Sequence, residues 1–168
     1  GRIGQRVGAL CRALGLRVAA FDPYMERSPV EGVEMVKDFR AILPETDFLC
    51  LHLPSTPETR DLIGAGELAL LKRGAFVLNC ARGGIVDEDV LCDALESGHV
   101  GGAGLDVFAK EPPDTAHRLF RQEKVLLSPH NAALTEECAI RMATQAVQNV
   151  LDCLDGKLQP RVVMNRRE

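Results

Sequence analysis

The sequence predicts an α/β fold in which parallel strands and helices alternate in a doubly wound arrangement. The first observation is a set of short, continuously apolar segments that read as strands, at residues 17–21, 48–53, 75–80, 104–108 and 125–128. The second is helical periodicity in several of the stretches between them. Because a continuous apolar run indicates a strand that is covered on both faces, these segments favour a parallel sheet packed between helices.

Four predicted helices accompany the strands. Their starts are a Gly-x-x-Gly turn at residues 1–4, Glu67, Asp87 and the N-cap Thr135. Glycines of the kind that end helices follow three of them, at Gly15, Gly98 and Gly156. The longest helix begins with Glu136 and Glu137, whose charges complement the positive end of the helix dipole.

The composition allows one domain and excludes several classes of protein. A chain of 168 residues with 46% hydrophobic residues can bury one substantial core. Its net charge of −4 is interspersed, which predicts no nucleic-acid partner, and no apolar run is long enough for a membrane span. The six cysteines lack any C-x-x-C spacing, so we expect buried free thiols in a reducing cytoplasm and no metal site.

A glycine turn opens the chain and is the first candidate site. Gly1-Arg2-Ile3-Gly4 precedes a helix, and Asp22 ends the next predicted strand, as in the second half of a dinucleotide-binding fingerprint. Such a turn lets backbone N–H groups approach a pyrophosphate, while the acid accepts hydrogen bonds from ribose hydroxyls. A carboxylate at that position favours NAD over NADP, because it would repel a 2′-phosphate. The pattern alone is also compatible with glycines that merely allow close packing and an aspartate in an exposed turn.

Polar residues follow three further predicted strands. Arg82, Asp106 and His130 each lie at such a strand end, and Glu111 lies just beyond Asp106. Taken singly, each is compatible with a solvated loop residue. Because the carboxyl ends of parallel strands share one edge of a sheet, their joint placement predicts an active site. Of the other histidines, we expect His52 to be structural and His99 and His117 to be solvated.

Four blocks of the sequence resemble the D-isomer-specific 2-hydroxyacid dehydrogenase family: HLPSTPETRDLI (52–63), NCARGGIVDEDVL (79–91), GGAGLDVFAKEPP (101–113) and SPHNAALTEE (128–137). That family includes phosphoglycerate dehydrogenases, glyoxylate and hydroxypyruvate reductases, and co-repressors of the C-terminal-binding-protein type. The resemblance implies a Rossmann-type domain of an NAD-dependent oxidoreductase that interconverts 2-keto acids and D-2-hydroxy acids by hydride transfer. An NAD(H)-sensing binding module like the co-repressors is the alternative.

The resemblance also implies a role for each site residue. Arg82 would bind the substrate carboxylate and carbonyl oxygen, His130 would be the general acid and base, and Glu111 would orient His130. Asp22 would contact the adenosine ribose and Asp106 the nicotinamide carboxamide. The other implied cofactor contacts are Gly1, Arg2, Ile3, Gly4, Leu53, Pro54, Thr59, Cys80, Ala81, Ala132 and Ala133, together with Arg82 and His130.

The family's organisation gives a further set of expectations. Residues 1–134 would be the NAD-binding domain, 135–155 a long closing helix, and 156–168 a segment that returns to a substrate domain. In the family, a strand precedes the glycine turn and most of the substrate domain lies ahead of it. We therefore expect the sheet to lack its first strand, the substrate domain to be mostly absent and the 168 residues alone to be inactive. We expect the intact protein to be a homodimer that acts on a small 2-keto or 2-hydroxy acid.

Overall fold

A computed structural model describes residues 1–163. The chain divides into two compact units, Gly1–His130 and Asn131–Glu168. The elements of the first unit, in chain order, are α1 Arg2–Ala13, β1 Val18–Ala20, β2 Val33–Met35, β3 Phe48–Leu51, α2 Ala65–Leu70, β4 Phe76–Asn79, α3 Glu88–Glu96, β5 Gly102–Leu105 and β6 Val125–Leu127. Two 3-10 helices, Phe39–Glu45 and Arg118–Arg121, complete it.

Every strand pair in this unit is parallel, which confirms the predicted class of fold. β1 pairs with β2, and a second sheet has the order β3-β4-β5-β6. Phe48 lies opposite Phe76 in its register, and Phe76 lies opposite Gly102. The carboxyl ends of β3 to β6 therefore lie along one edge of the four-stranded sheet.

The core lies between this sheet and the helices that follow its strands. Val77 of β4 and Leu91 of α3 are completely buried, as is Ile85 in the connection between them. Asp87 starts α3 as predicted, because its carboxylate accepts hydrogen bonds from the backbone N–H groups of Asp89 and Val90. This cap sets where α3 begins, directly after the loop that carries Arg82.

Several details differ from the sequence predictions. β5 ends at Leu105, so residues 106–108 form a loop and not the end of a strand. The short strand β2 was not predicted, since it has only three residues with the polar Glu34 at its centre. Burial on both faces is wrong for β6, where Leu126 is 81% exposed on the outermost strand.

The cysteine prediction holds only in part. All six thiols are free, but only Cys92 is buried, and Cys80 and Cys153 are exposed. His99 and His117 are also less solvated than expected. The Nε2 atom of His99 is buried, and the Nδ1 atom of His117 accepts a hydrogen bond from the Leu119 N–H.

The second unit contains one long helix, α4, at Glu136–Leu154. Thr135 is its N-cap as predicted, because the side-chain hydroxyl accepts a hydrogen bond from the Cys138 N–H. Gly156, with a φ of 69°, follows its end. No residue of α4 is buried, and its apolar Val147 and Leu154 are exposed. The last five residues of the predicted return segment, 164–168, lie outside the described part of the chain.

Among the helices of residues 1–163, none combines the length and the apolar character needed to cross a bilayer.

The core predicts that two Leu→Ala substitutions change the free energy of unfolding by very different amounts. Leu91→Ala, at a side chain with no exposed surface, should lower the free energy of unfolding by about 2–5 kcal/mol, because it leaves a cavity. Leu126→Ala, on the exposed face of β6, should change it by less than about 0.5 kcal/mol. Urea denaturation followed by circular dichroism measures both, and equal losses would contradict this description of the core.

Candidate active site

The edge formed by the ends of β3 to β6 collects the polar residues that the sequence singled out. His52 follows β3, Arg82 lies just beyond β4, and Asp106 comes directly after β5. His130 lies three residues beyond the end of β6. The parallel register thus places residues from four distant segments along one edge of one sheet.

Glu111 and His130 form a direct pair. Oε2 of Glu111 lies 2.8 Å from Nδ1 of His130, and its Oε1 accepts a hydrogen bond of 3.0 Å from the Phe108 N–H. The hydrogen bond with His130, followed by the one from Phe108, lowers the pKa of Glu111 below its usual range. Glu111 is therefore ionised near neutral pH. The His130 side chain remains 47% exposed, so a reactant can reach its ring.

The loop that carries Arg82 is held by Asn79, the last residue of β4. Asn79 is almost completely buried, and its side-chain amide donates to the Arg82 carbonyl oxygen at 3.0 Å. Its side-chain oxygen accepts from the Ala81 N–H at 3.1 Å. Arg82 itself is exposed, and its Nη1 donates to the Ala81 carbonyl oxygen. The backbone of the loop is thus anchored, and Arg82 as a residue remains exposed.

Two contacts join this loop to the one that carries Glu111. A Cβ atom added to Gly83 would lie 1.7 Å from the Phe108 carbonyl oxygen, so only glycine allows the two backbones to come this close. Glu88, in the first turn of α3, accepts a hydrogen bond of 2.6 Å from the Ala109 N–H. The Arg82 and Glu111 loops are therefore packed together directly.

Asp106 is the buried carboxylate of the site, with 4% of its surface exposed. Its backbone N–H donates to the Asn79 carbonyl oxygen at 3.0 Å, and its Oδ1 accepts a hydrogen bond of 2.6 Å from the Ser128 hydroxyl. The carboxylate is consequently held at the end of β5, between the loops that follow β4 and β6.

The glycine turn and Asp22 also lie together. The nitrogen of Gly1 is 3.4 Å from Oδ2 of Asp22, and Oδ1 of Asp22 accepts from the Tyr24 N–H. A Cβ added to Gly1 would meet no atom within 4 Å, whereas one added to Gly4 would lie 3.5 Å from the Cβ of His52. The start of α1 is therefore packed against His52 at Gly4. Arg2 and Ile3 are exposed there.

His52 packs beside that turn. Its Nε2 is buried without a hydrogen-bond partner among the described residues, and burial lowers the pKa of its imidazole below the usual range. A neutral ring packed against Gly4 agrees with the structural role expected for His52.

The remaining predicted cofactor residues occupy the same edge or the second unit. Leu53 packs against the core, and Pro54 is exposed beyond it. The Thr59 hydroxyl donates to the Pro54 carbonyl oxygen at 2.8 Å, so it orders this loop. Cys80 is exposed and Ala81 is buried after β4, while the exposed Ala132 and Ala133 belong to the second unit. Their cofactor contacts stay predictions.

A cavity of about 340 Å³ adjoins the Glu111–His130 pair. Phe108 and Phe120, whose rings stack with centroids 5.8 Å apart, form part of its wall together with Leu127. Its lining is mainly apolar, so one side of the pair faces a hydrophobic hollow.

Sequence reasoning missed four residues that hold the site: Asn79, Gly83, Glu88 and Ser128. Each lies within a recognised block. Gly83, Glu88 and Ser128 act through contacts with a distant loop, whereas Asn79 holds the backbone of its own loop. The one available signal was their position beside predicted site residues at strand and helix ends. Among residues 1–163, no group of three or more His, Cys, Asp or Glu side chains is placed to hold a metal ion.

Comparison with known families decides the relationship that these features suggest. The family model described as "D-isomer specific 2-hydroxyacid dehydrogenase, NAD binding domain" matches residues 1–132. The chain belongs to this family. Residues 1–132 thus match the NAD-binding domain of this family, and the parallel sheet is that of a Rossmann-type domain.

Relatives of this dehydrogenase domain include longer, named enzymes. D-3-phosphoglycerate dehydrogenase from Methanocaldococcus jannaschii is 40% identical over 97% of this chain, and the one from Mycobacterium leprae is 45% identical over the same share. Each alignment covers 31% of the relative, so the chain spans about a third of these curated enzymes.

Solved structures agree with this relationship. D-lactate dehydrogenase with NAD⁺ from Lactobacillus jensenii has a TM-score of 0.87 at 29% identity, over 99% of this chain and 53% of that one. The NAD-complexed D-isomer specific 2-hydroxyacid dehydrogenase from Lactobacillus delbrueckii has a TM-score of 0.86 at 31% identity, over 98% and 54%. The dehydrogenase domain therefore corresponds to about half of each solved relative.

The Glu111–His130 pair predicts a specific titration behaviour. Because the pKa of Glu111 is lowered in the folded state, its ion pair stabilises the fold above the usual glutamate range and is lost as the pH falls through the lowered value. In His130→Ala, the pKa of Glu111 should rise toward the ordinary value of about 4.3. Carboxyl ¹³C NMR measures the pKa of Glu111. The pKa of Glu96, which is lowered by Arg118 instead, should not change. An unchanged pKa of Glu111 would refute the pair.

The close approach of two backbones at Gly83 predicts that two Gly→Ala substitutions have opposite effects on the free energy of unfolding. Gly83→Ala should lower the free energy of unfolding by about 1–3 kcal/mol, because the loops of Arg82 and Glu111 must separate. Gly66→Ala, in α2 with open space around the position, should raise it by about 0.5–1 kcal/mol through helix propensity. Urea denaturation measures both. A neutral Gly83→Ala would show that the two loops do not depend on each other.

Proposed function

We propose that this chain is the NAD-binding part of an enzyme that interconverts 2-keto acids and D-2-hydroxy acids. The observation that carries the proposal is the 2.8 Å contact between Glu111 and His130, at the sheet edge of a domain that binds NAD. When bound, the reduced nicotinamide supplies the hydride. The residues of the chain must then bind the acid and move one proton to or from its oxygen.

His130 is the proton donor in this proposal. The ionised Glu111 accepts a hydrogen bond from the Nδ1–H of His130, which orients the ring and leaves Nε2 as the atom that gives or takes the proton. In the direction of reduction, the Nε2 proton passes to the carbonyl oxygen. In oxidation, Nε2 takes the hydroxyl proton.

Arg82 is the substrate-binding residue. Its planar guanidinium group can make two parallel charge-assisted hydrogen bonds with a carboxylate. The loop anchored by Asn79 holds the backbone of Arg82, and the residue remains exposed. A cation there also stabilises the negative charge that develops on the substrate oxygen during reduction.

The cofactor-binding residues follow from the same geometry. The start of α1 at Gly1, Arg2 and Ile3 fits a pyrophosphate, because the first backbone N–H groups of a helix have no partner within it. Asp22, beside that turn, would accept hydrogen bonds from the adenosine ribose. The buried carboxylate of Asp106 would accept one from the nicotinamide carboxamide.

We also propose that catalysis requires a second domain. The chain matches only about half of each solved relative, and the family's substrate domain would complete the cleft over Arg82 and His130. The 168 residues alone should therefore bind NADH without turnover. The family resemblance supports a homodimer, and the six free cysteines support a reducing compartment such as the cytoplasm.

Loss of NADH absorbance in the full-length protein tests the reaction with glyoxylate, hydroxypyruvate and bulkier 2-keto acids. His130→Ala should lower kcat by about 10²–10⁴-fold, because the proton transfer is lost, while NADH affinity is retained. His117→Ala, outside the pair, is the matched control and should keep its activity.

Two results would reject the assignment. Full activity of His130→Ala would remove His130 from the mechanism. Tight NADH binding without oxidation by any 2-keto acid would instead favour the NAD(H)-sensing binding module.

A further inference from the structure

Ser128 uses all three of its polar groups to connect separate parts of the site. Its backbone N–H donates to the Leu105 carbonyl oxygen of β5 at 3.0 Å. Its hydroxyl donates to Oδ1 of Asp106 at 2.6 Å. Its carbonyl oxygen accepts from the backbone N–H of His130 at 3.0 Å. Ser128 therefore contacts the sheet, the buried carboxylate of Asp106 and the backbone of His130, the proposed proton donor.

The two residues that Ser128 holds both need support. Asp106 is 4% exposed, and a buried carboxylate is costly unless hydrogen-bond donors surround it. His130 has a φ of 53°, in the left-handed region that residues other than glycine seldom adopt. Such a conformation persists where neighbouring contacts impose it. The bond from His130 to Ser128 is one such contact.

The hydroxyl of Ser128 makes a different contact from the backbone N–H that attaches β6 to β5. The backbone N–H of Ser128 already ties the end of β6 to β5. The hydroxyl adds a hydrogen bond to the Asp106 carboxylate, and an alanine at this position would remove that bond alone. Ser128 is only partly buried, and a threonine at this position would keep the hydroxyl.

We propose that Ser128 is a positioning residue whose hydroxyl holds the Asp106 carboxylate in the orientation that receives the nicotinamide carboxamide. Because the carbonyl group of Ser128 also holds the His130 backbone, the nicotinamide anchor and the proton donor share one support. This inference rests on the proposed function, in which Asp106 contacts the carboxamide and His130 moves the proton.

The test compares two ligands that differ in the nicotinamide group. NADH contains the carboxamide, whereas ADP-ribose contains the adenosine, pyrophosphate and second ribose without it. Ser128→Ala in the full-length protein should weaken NADH binding about tenfold, since a hydrogen bond to a charged group is lost. ADP-ribose affinity should stay unchanged. Ser128→Thr, which keeps a hydroxyl, should restore NADH affinity.

Isothermal titration calorimetry measures both affinities. Circular dichroism melts establish that each variant is folded. Ser97→Ala is the control, because this exposed serine also donates its hydroxyl, but to Ala94 at the end of α3. It should bind both ligands as the unmodified chain does.

Four outcomes separate the possibilities. Unchanged NADH affinity in Ser128→Ala overturns the inference. Equal losses for NADH and ADP-ribose also overturn it, because they indicate a general structural defect. A folded Ser128→Thr variant that binds NADH as weakly as Ser128→Ala removes the hydroxyl from the explanation. If the unmodified chain binds neither ligand, the proposed function fails and the inference fails with it.

Discussion

Parallel hydrogen bonding between β3, β4, β5 and β6 is the constraint on which the rest of the site depends. Each strand runs in the same direction, so the residue that follows each one emerges at the same edge. Arg82, Asp106 and His130 are far apart in the chain, yet they follow three adjacent strands. A shift in this register would move every one of these residues relative to the others. The buried core around Val77 and Leu91 holds the sheet against its helices and so maintains the edge.

The hydrogen bonds between the strands stop at the strand ends. Beyond them, short polar contacts and one steric contact hold the loops in place. Asn79 holds the Arg82 loop, Ser128 links Asp106 to His130, and Glu88 binds the backbone at Ala109. Gly83 removes the side chain that would separate two of these loops. Such supports matter because the Glu111–His130 pair is partly exposed and core packing alone would not orient it. The groups that do the proposed chemistry are therefore accessible, and the groups that position them are more deeply placed.

The glycine turn at the start of α1 lies next to both sheets. α1 packs against β1 and β2, whereas Gly4 at its start packs against His52 at the end of β3. Asp22, which follows β1, lies beside Gly1 of the same turn. The glycine turn is thus positioned by both sheets. In the proposed function, the adenosine ribose of the dinucleotide would lie near Asp22 and its nicotinamide near Asp106.

The sequence by itself determined the parallel α/β class, because continuous apolar runs and helix caps are local signals. Thr135, Asp87 and the helix-ending glycines act within a few residues of their own position, and the structure confirmed them. The blocks that resemble the dehydrogenase family likewise contain Arg82, Glu111 and His130. Only the tertiary structure decided that Glu111 reaches Nδ1 of His130, that β5 ends before Asp106, and that Ser128 and Gly83 support the site. These features depend on contacts between loops that are distant in the chain, and no local pattern of residues encodes the geometry of such contacts.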